Sequence, residues 1–461
     1  MKKLLLFIAT GCCMAAGGCK KYLDVNTDPN NPVDVQPALI LAPVELNISD
    51  NVYGGNASTI LQNFVQGIAP NQANPGLWNY QLFNNTTDGD WSVVYTTCLQ
   101  NLKNLNEKAE KTGSYNYAGI AKILSAYTLA YATDTWGDIP YSQAFQGSSK
   151  FTPVYDKQED IYKAIQALLS AAIADIGKNS TVLPKGDDYF YGGTMIKWKR
   201  LAWMLKARYF MHLSKAPGYT ASVQADSVLA ALAGGMTANT DDLDFVYTGA
   251  AGSENIWNLT FSPVTTYVLN STFVDTLKAR SDPRLSKMAS PAAGTGLYTG
   301  RKIGTALASL DTYSYPADFY GSVTAANHLV SYSEALFLKA EAVYIKSGAV
   351  AALPVYTSAI KSHCAKLGLD TTSAAVLTYI AGRTLTTTNA LQRIMEEKSV
   401  ANFLNFETYN DWRRTGYPAL TPVTGALSAI PRRMLYPQSE ILTNAQPQQS
   451  ALATDRVWWD K

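Results

Sequence analysis

The chain has 461 residues, a formal net charge of +2 and only 16% charged residues. So sparse and balanced a charge leaves no basic footprint for nucleic acid, and no nucleic-acid partner is expected. The length suffices for one large domain or a few small ones, and the three histidines, His212, His328 and His363, lack spaced ligand partners, which makes zinc chemistry a poor fit.

At the start, Lys2 and Lys3 precede an apolar stretch, Leu4 to Ile8 and Cys12 to Ala16, too short and too poorly flanked to span a bilayer. It reads as an export signal over residues 1–18, and the small residues Ala16, Gly17 and Gly18 place the expected cut before Cys19. That leaves a thiol at the new amino terminus for lipidation, where several acyl chains, at about 0.8 kcal/mol per buried CH₂, anchor stably and one does not. The plainer alternative is a secretory signal cut near Ala15 or Ala16 with Cys19 incidental. The Asn-, Asp- and Pro-rich stretch that follows suits a tether, residues 19–37, leading to one folded body over 38–461.

Helical periodicity then dominates. Trp91, Val94, Tyr95, Cys98, Leu102, Leu105 and Ala109 fall on one stripe that Gly113 ends. A second helix through Ile120, Leu124, Tyr127 and Ala130 follows after so short a loop that the two must pack together. Asp156 and Glu159 read as an Asp variant of the capping box, opening a helix through Ile161, Ile165, Leu169 and Ile176. Its partner is predicted from Met195 to Leu213, a third pair at Ser331–Ile345 and Val355–Leu367, and a long helix from Asn389 to Phe406. The fold class is therefore mainly α, a tetratricopeptide-like solenoid of helix pairs with long irregular loop insertions; a generic helical bundle is the alternative. Cys98 and Cys364 lie inside helical patterns and read as buried free thiols.

Residues 235–330 and 70–90 break the pattern with Gly, Ser, Thr, Asn, Tyr and Pro, except for a strand signal near Asp244 to Thr248. Long irregular stretches of this kind are more often functional insertions than linkers. With 28 Tyr and 9 Trp in the chain, some of these rings are expected on half-wet surfaces.

Several segments together resemble the SusD/RagB family of outer-membrane nutrient-binding lipoproteins, in its SusD-like subgroup: YLDVNTDPNNP after Cys19, DTWGDIPYSQAF from 134, YGGTMIKWKRLAWMLKARYFMHLS from 191, VSYSEALFLKAEAVY from 330, YNDWRRTGYPAL from 409, and the tail from RRMLYP to VWWDK. The resemblance implies a SusD-like α/α superhelix displayed on a Gram-negative cell surface, membrane-held through its lipid anchor. It also implies capture of a glycan or similar nutrient, and a SusC-like TonB-dependent β-barrel transporter as partner. It implies no enzymatic activity and no cofactor, and leaves a structural Ca²⁺ open. The functional alternatives are an anchored helical glycoside hydrolase or lyase, or a family member that takes a peptide or cofactor.

Physically the shared motifs read as scaffold. Gly137 and Pro140 should turn the chain after a helix, with Trp136 and Tyr141 packing it down. Asp134 with Asp138 is the one paired-carboxylate reading available to a glycosidase, and a weak one. Lys199, Arg200, Lys206 and Arg208 are expected on a solvated or partner-facing side. Glu334, Glu341, Glu396 and Glu397 are expected in helix-surface pairing, and Arg413 and Arg414 on the carbonyl end of a helix. A sugar presents a flat C–H face ringed by hydroxyls, so the candidate ligand residues are Trp78 and Tyr80 with Asn84 and Asp88, and a second set at Tyr267, Tyr313, Tyr315 and Tyr320. Each of these rings can equally serve to pin a loop to the helical body, and Trp257 reads as core.

Overall fold

A computed structural model describes residues 35–262, 265–444 and 451–461. The export signal, Cys19 and the tether up to residue 34 lie outside the described residues.

Helix α1 (Pro37–Asn47) opens with Pro in its first turn, where the missing N–H has no partner to lose. It is followed by α2 (Asn56–Phe64), of which every residue but the first is buried. The Trp91 stripe folds as expected, but through a wide π-helical turn, Val93–Leu99, before α3 (Gln100–Thr112). Gly113 ends α3 at φ +69°, a conformation that favours glycine. Next, α4 (Tyr115–Trp136) is buried on every side except at Tyr115 and Ser125, because α3 and α5 (Gln158–Ile176) both pack on it. Helix α6 (Met195–His212) buries Trp198, Leu201, Leu205 and Tyr209 as read from the sequence. The Ala-rich α7 (Ala221–Leu232) lies between α6 and α8 (Tyr332–Lys366), and α9 (Ala374–Gly382), α10 (Ala390–Ala401) and α11 (Glu407–Thr415) complete the described long helices. Neighbour-to-neighbour packing in this order is the solenoid arrangement.

The strands are short and come in antiparallel pairs: β1 (Ile68–Pro70) with β5 (Tyr267–Leu269), β2 (Ile139–Pro140) with β3 (Tyr155–Asp156), and β4 (Leu243–Val246) with β6 (Ala326–Val330). The β1/β5 pair thus ties the irregular 235–330 region to the N-terminal part of the body, while β4/β6 brings the two ends of that region together.

Four expectations need correction. Asp156 does not cap α5: its carboxylate accepts from the backbone N–H groups of Tyr141 and Ser142 and from Ser142 Oγ, closing the β2 turn. Instead Asp138 Oδ1 accepts the Gln158 N–H at 2.8 Å, so the cap arrives from a distant segment. The third pair is present within α8 as two helices that meet at the non-helical Gly348, φ 78°, so its second member begins before Val355, and the long helix from Asn389 stops at Ala401, after which Leu404 at φ +65° redirects the chain into α11.

The fourth concerns charge. Arg208 and Glu334 are both fully buried and doubly hydrogen-bonded. Arg414 is held by Glu341 and Asp411, and Arg284 by Asp282 and Glu397, again without solvent. Arg413 is in the last turn of α11, but its guanidinium lies between the rings of Tyr409 and Trp459, at 4.3 and 4.6 Å, and is covered by them. Only Lys199, Arg200 and Lys206 of the basic run keep partial exposure. Helical spacing locates such residues on a helix, but it cannot say that another helix covers that face. Cys98 and Cys364 are buried free thiols, pushed up by burial to about 12 and about 11 respectively, and Trp257 is core.

Candidate functional site

The register of β1 against β5 sets Pro70 opposite Tyr267. The loop that carries Trp78 therefore springs from the strand facing one of the predicted tyrosines. Beyond the strands the contact continues, with the Asn71 N–H donating to Thr266 O at 2.9 Å and Gln72 Nε2 to Thr266 Oγ1 at 3.0 Å. On the other side of β5, the Leu269 N–H donates to Ser314 O, which brings the segment of Tyr313 and Tyr315 alongside. A fourth segment, around residue 424, is tied in by Asn74 Nδ2 to Thr424 O and Asn79 Nδ2 to Gly425 O, at 3.1 and 2.7 Å. Stretches far apart in sequence thus form one loop-built face.

Trp78 sits half-buried on this face, its Nε1 donating to Asn74 Oδ1 at 3.0 Å. Its ring lies over Gly76, where a Cβ would come within 2.4 Å of the indole, so glycine is required for the ring to lie down. Tyr267 and Tyr315 are also half-buried, and burial raises both phenols above their ordinary value. The three rings remain partly open to solvent.

The other predicted rings do not. Tyr80 is 5% exposed, packed edge-on against Phe64 at 5.7 Å, with its hydroxyl accepting the Val423 N–H at 3.2 Å. Tyr320 is 5% exposed, edge-on against Phe403, and Tyr313 is buried as well. These three hold loops to the body, and a buried ring offers no face to a sugar. Asn84 and Asp88 are engaged with the C-terminal segment: Asn84 Nδ2 donates to Tyr436 O at 2.9 Å, and Asp88 Oδ1 accepts from Ser439 N–H and Oγ. The predicted set therefore divides between two places.

Sequence reading missed Asn71, whose Oδ1 is buried without a hydrogen-bond partner while its Nδ2 donates to Ala308 O. It also missed the backbone strain here: Gln66, Tyr80 and Thr266 all have positive φ, and Thr266 is β-branched, for which φ of 66° is a genuine outlier. Outliers of this kind gather at ligand sites, and only the density of Asn and Gln around residues 71–74 hinted at it.

The paired-acid reading meets a different fate. Asp134 is buried and accepts from Tyr162 Oη at 2.6 Å and Trp459 Nε1 at 2.8 Å, while Asp138 caps α5. Asp134, His212 and Glu407 do come together, their ligand-type atoms within 4.8 Å of one another, which linear spacing could not show. The donor set is already satisfied. His212 Nε2 lies 2.9 Å from Glu407 Oε2 and its Nδ1 lies 2.8 Å from Tyr162 Oη, while Asn410 donates to both carboxylates. Burial alone would favour the neutral imidazole, but Glu407 and Asp134 reverse this and lift His212 to about 9. The imidazolium supplies the charge a cation would bring. Among the described residues this is the one grouping with metal-ligand geometry.

The body is mainly helical, half-open aromatic rings stand on a loop-built face, and the paired-acid candidates Asp134 and Asp138 are taken up by the scaffold. The chain belongs to the SusD-like family: a family model described as "starch-binding associating with outer membrane" matches residues 29–437. A chitin-binding protein of known structure is 25% identical and superposes with a TM-score of 0.80 over 92% of this chain and 100% of that one. A SusD/RagB family protein from Bacteroides thetaiotaomicron is 23% identical, TM-score 0.79, covering 93% and 99%. A chitin-binding SusD homologue from Flavobacterium johnsoniae is likewise 23% identical, TM-score 0.80, covering 92% and 98%. No curated protein sequence matches this chain. The family is one of binding proteins, not enzymes. No helix among the described residues is long and apolar enough to cross a membrane.

Proposed function

We propose that this chain is a cell-surface lipoprotein, anchored through Cys19, that captures a glycan on the β1/β5 face and passes it to a SusC-like TonB-dependent barrel. The observation that carries the binding step is that the segments of Trp78, Tyr267 and Tyr315, all half-buried rings, are drawn together around the β1/β5 pair. Half-buried rings have fixed positions and one open surface, which suits the C–H face of a pyranose. Asn71 Oδ1, an acceptor without a donor, and the partly exposed amides nearby suit its hydroxyls. The family description and the chitin-binding neighbours support a polysaccharide-derived cargo, and the lipid anchor and the barrel partner rest on the leader sequence and the family resemblance.

The test is calorimetric titration of the full mature chain with chitohexaose and with maltoheptaose, repeated on Trp78→Ala. Loss of affinity at unchanged thermal stability is expected, since the indole is not core. Equal affinity in wild type and variant removes the β1/β5 face from the reading.

A further inference from the structure

A cavity of about 540 Å³ opens at the other end of the loop that carries Trp78, and Trp91, Tyr95, Phe145 and Phe151 line it. Its size is that of a ligand pocket, about 300–1,000 Å³. Behind its open edge the rings pack in series, with the buried Trp91 and, outside the lining itself, Tyr155 as their backing. Tyr155 and Trp91 stack at 6.3 Å and 17°, Trp91 and Tyr95 lie 4.6 Å apart at 34°, and Tyr95 and Phe145 lie 6.0 Å apart at 28°. Phe151 stands at the edge with 79% of its surface in solvent, an exposure the core packing of these rings does not account for.

Two backbone departures shape this wall. Tyr95 lies in the π-helical turn Val93–Leu99, a rare geometry that occurs mostly at functional sites. Phe145 holds φ +64°, which a bulky residue adopts only when its surroundings enforce it. Around the rings stand polar groups of mixed sign and reach, Gln100, Lys150 and Glu440. Gln100 Nε2 donates to Asn104 and Glu440 Oε1 accepts from Asn444; an acyl chain offers nothing to their remaining polar atoms, whereas a sugar ring matches both halves, apolar face to the rings and hydroxyls to the rim.

We infer that this cavity is a second carbohydrate subsite, taking one pyranose unit with its C–H face against the open rings of Phe145 and Phe151 and its hydroxyls toward Gln100, Lys150 and Glu440. Asn84 and Asp88 act here as positioning residues, because their bonds to Tyr436 and Ser439 fix the C-terminal segment that forms part of the wall. The inference rests on the glycan-binding reading for its cargo but on separate residues for its site. A polymer that reached both places would gain by effective concentration over either alone.

The experiment is saturation-transfer difference NMR on the full mature chain with methyl α-glucopyranoside and methyl N-acetyl-β-glucosaminide, comparing wild type, Trp78→Ala and Phe151→Ala. Phe151 is too exposed for its loss to unfold the protein. The expected result is saturation of ring C–H protons that survives in part in Trp78→Ala and falls several-fold in Phe151→Ala and in the double variant Gln100→Ala/Glu440→Gln. Saturation that vanishes in Trp78→Ala and is untouched by the other two overturns the second subsite while sparing the first. The reverse pattern sinks the first and leaves this one standing. No saturation from either sugar in wild type overturns this inference.

Discussion

Arg208 on α6 and Glu334 on α8 form a two-bond fork, Nε to Oε1 at 2.8 Å and Nη2 to Oε2 at 2.6 Å, with neither side chain reached by solvent. The fork joins helices that α7 separates in sequence, and Ser331 Oγ, accepting the Glu334 N–H, fixes the helix start that aims the carboxylate.

Removing one arm leaves the other charged and buried. Arg208→Ala is expected to destabilise by about 3–5 kcal/mol, while Arg208→Met with Glu334→Leu, which removes both charges, costs much less. Urea midpoints for the two singles and the double make the comparison. A double variant as unstable as the sum of the singles would show that the fork contributes nothing as a pair.

His212 makes stability depend on alkaline pH. Its folded value, about 9, lies above the ordinary imidazole value of 6.5, so the folded state holds the proton more tightly. The contribution, roughly 3 kcal/mol, is fully present below about pH 6.5 and lost as pH rises through about 9. Its partner Glu407 is held well below the usual carboxylate range by His212 and Arg208 in spite of burial, so that share is fully present above the ordinary glutamate value of 4.5 and disappears only in strong acid. Denaturation midpoints across this range should fall toward pH 9 and above in the wild type. In His212→Gln the alkaline slope attributable to this group should be gone, and a slope that persists unchanged would remove His212 as its source.

Gly76 tests the role of the Trp78 ring without deleting it. A methyl group there meets the indole at 2.4 Å, so Gly76→Ala must tilt the ring away from its seat. Gly76 is itself extended, at φ −175°, so alanine brings no backbone strain. Glycan affinity should drop several-fold while the melting temperature moves by no more than a few degrees, and full affinity would mean that the ring's orientation is irrelevant.

Cys98 and Cys364 should stay unlabelled by iodoacetamide in the native protein at neutral pH and react on denaturation, because burial pushes both thiols up and hides them. Rapid native labelling of either would show that the Val93–Leu99 turn or α8 opens locally.

The helices were legible because their stripes are locally encoded, down to Gly113 as the stop of α3. Their charged faces were not: Arg208, Glu334, Glu341 and Arg414 look like surface residues until the neighbouring helix is in place. Among the candidate ligand residues, Trp78 was separable from Tyr80 only by backbone direction, since φ of +77° at Tyr80 turns its ring into the core. Asn84 and Asp88 have the chemistry of sugar contacts, yet a segment some 350 positions later uses them first. Phe145 and Phe151 carry no polar tip and lie in a stretch that resembles scaffold, so nothing local marked them as the walls of a cavity.

Trp459 and Asp460, next to the last residue, are both 0% exposed. The indole of Trp459 donates to Asp134, lies 5.4 Å from the ring of His212 and covers Arg413, while Asp460 pairs with Arg432. The final turn of the chain is thus the stopper of its most highly charged interior. Asp134 and His212 are closed to water only once this segment has docked, so the interior is completed by a stretch 325 positions away from the acid it covers.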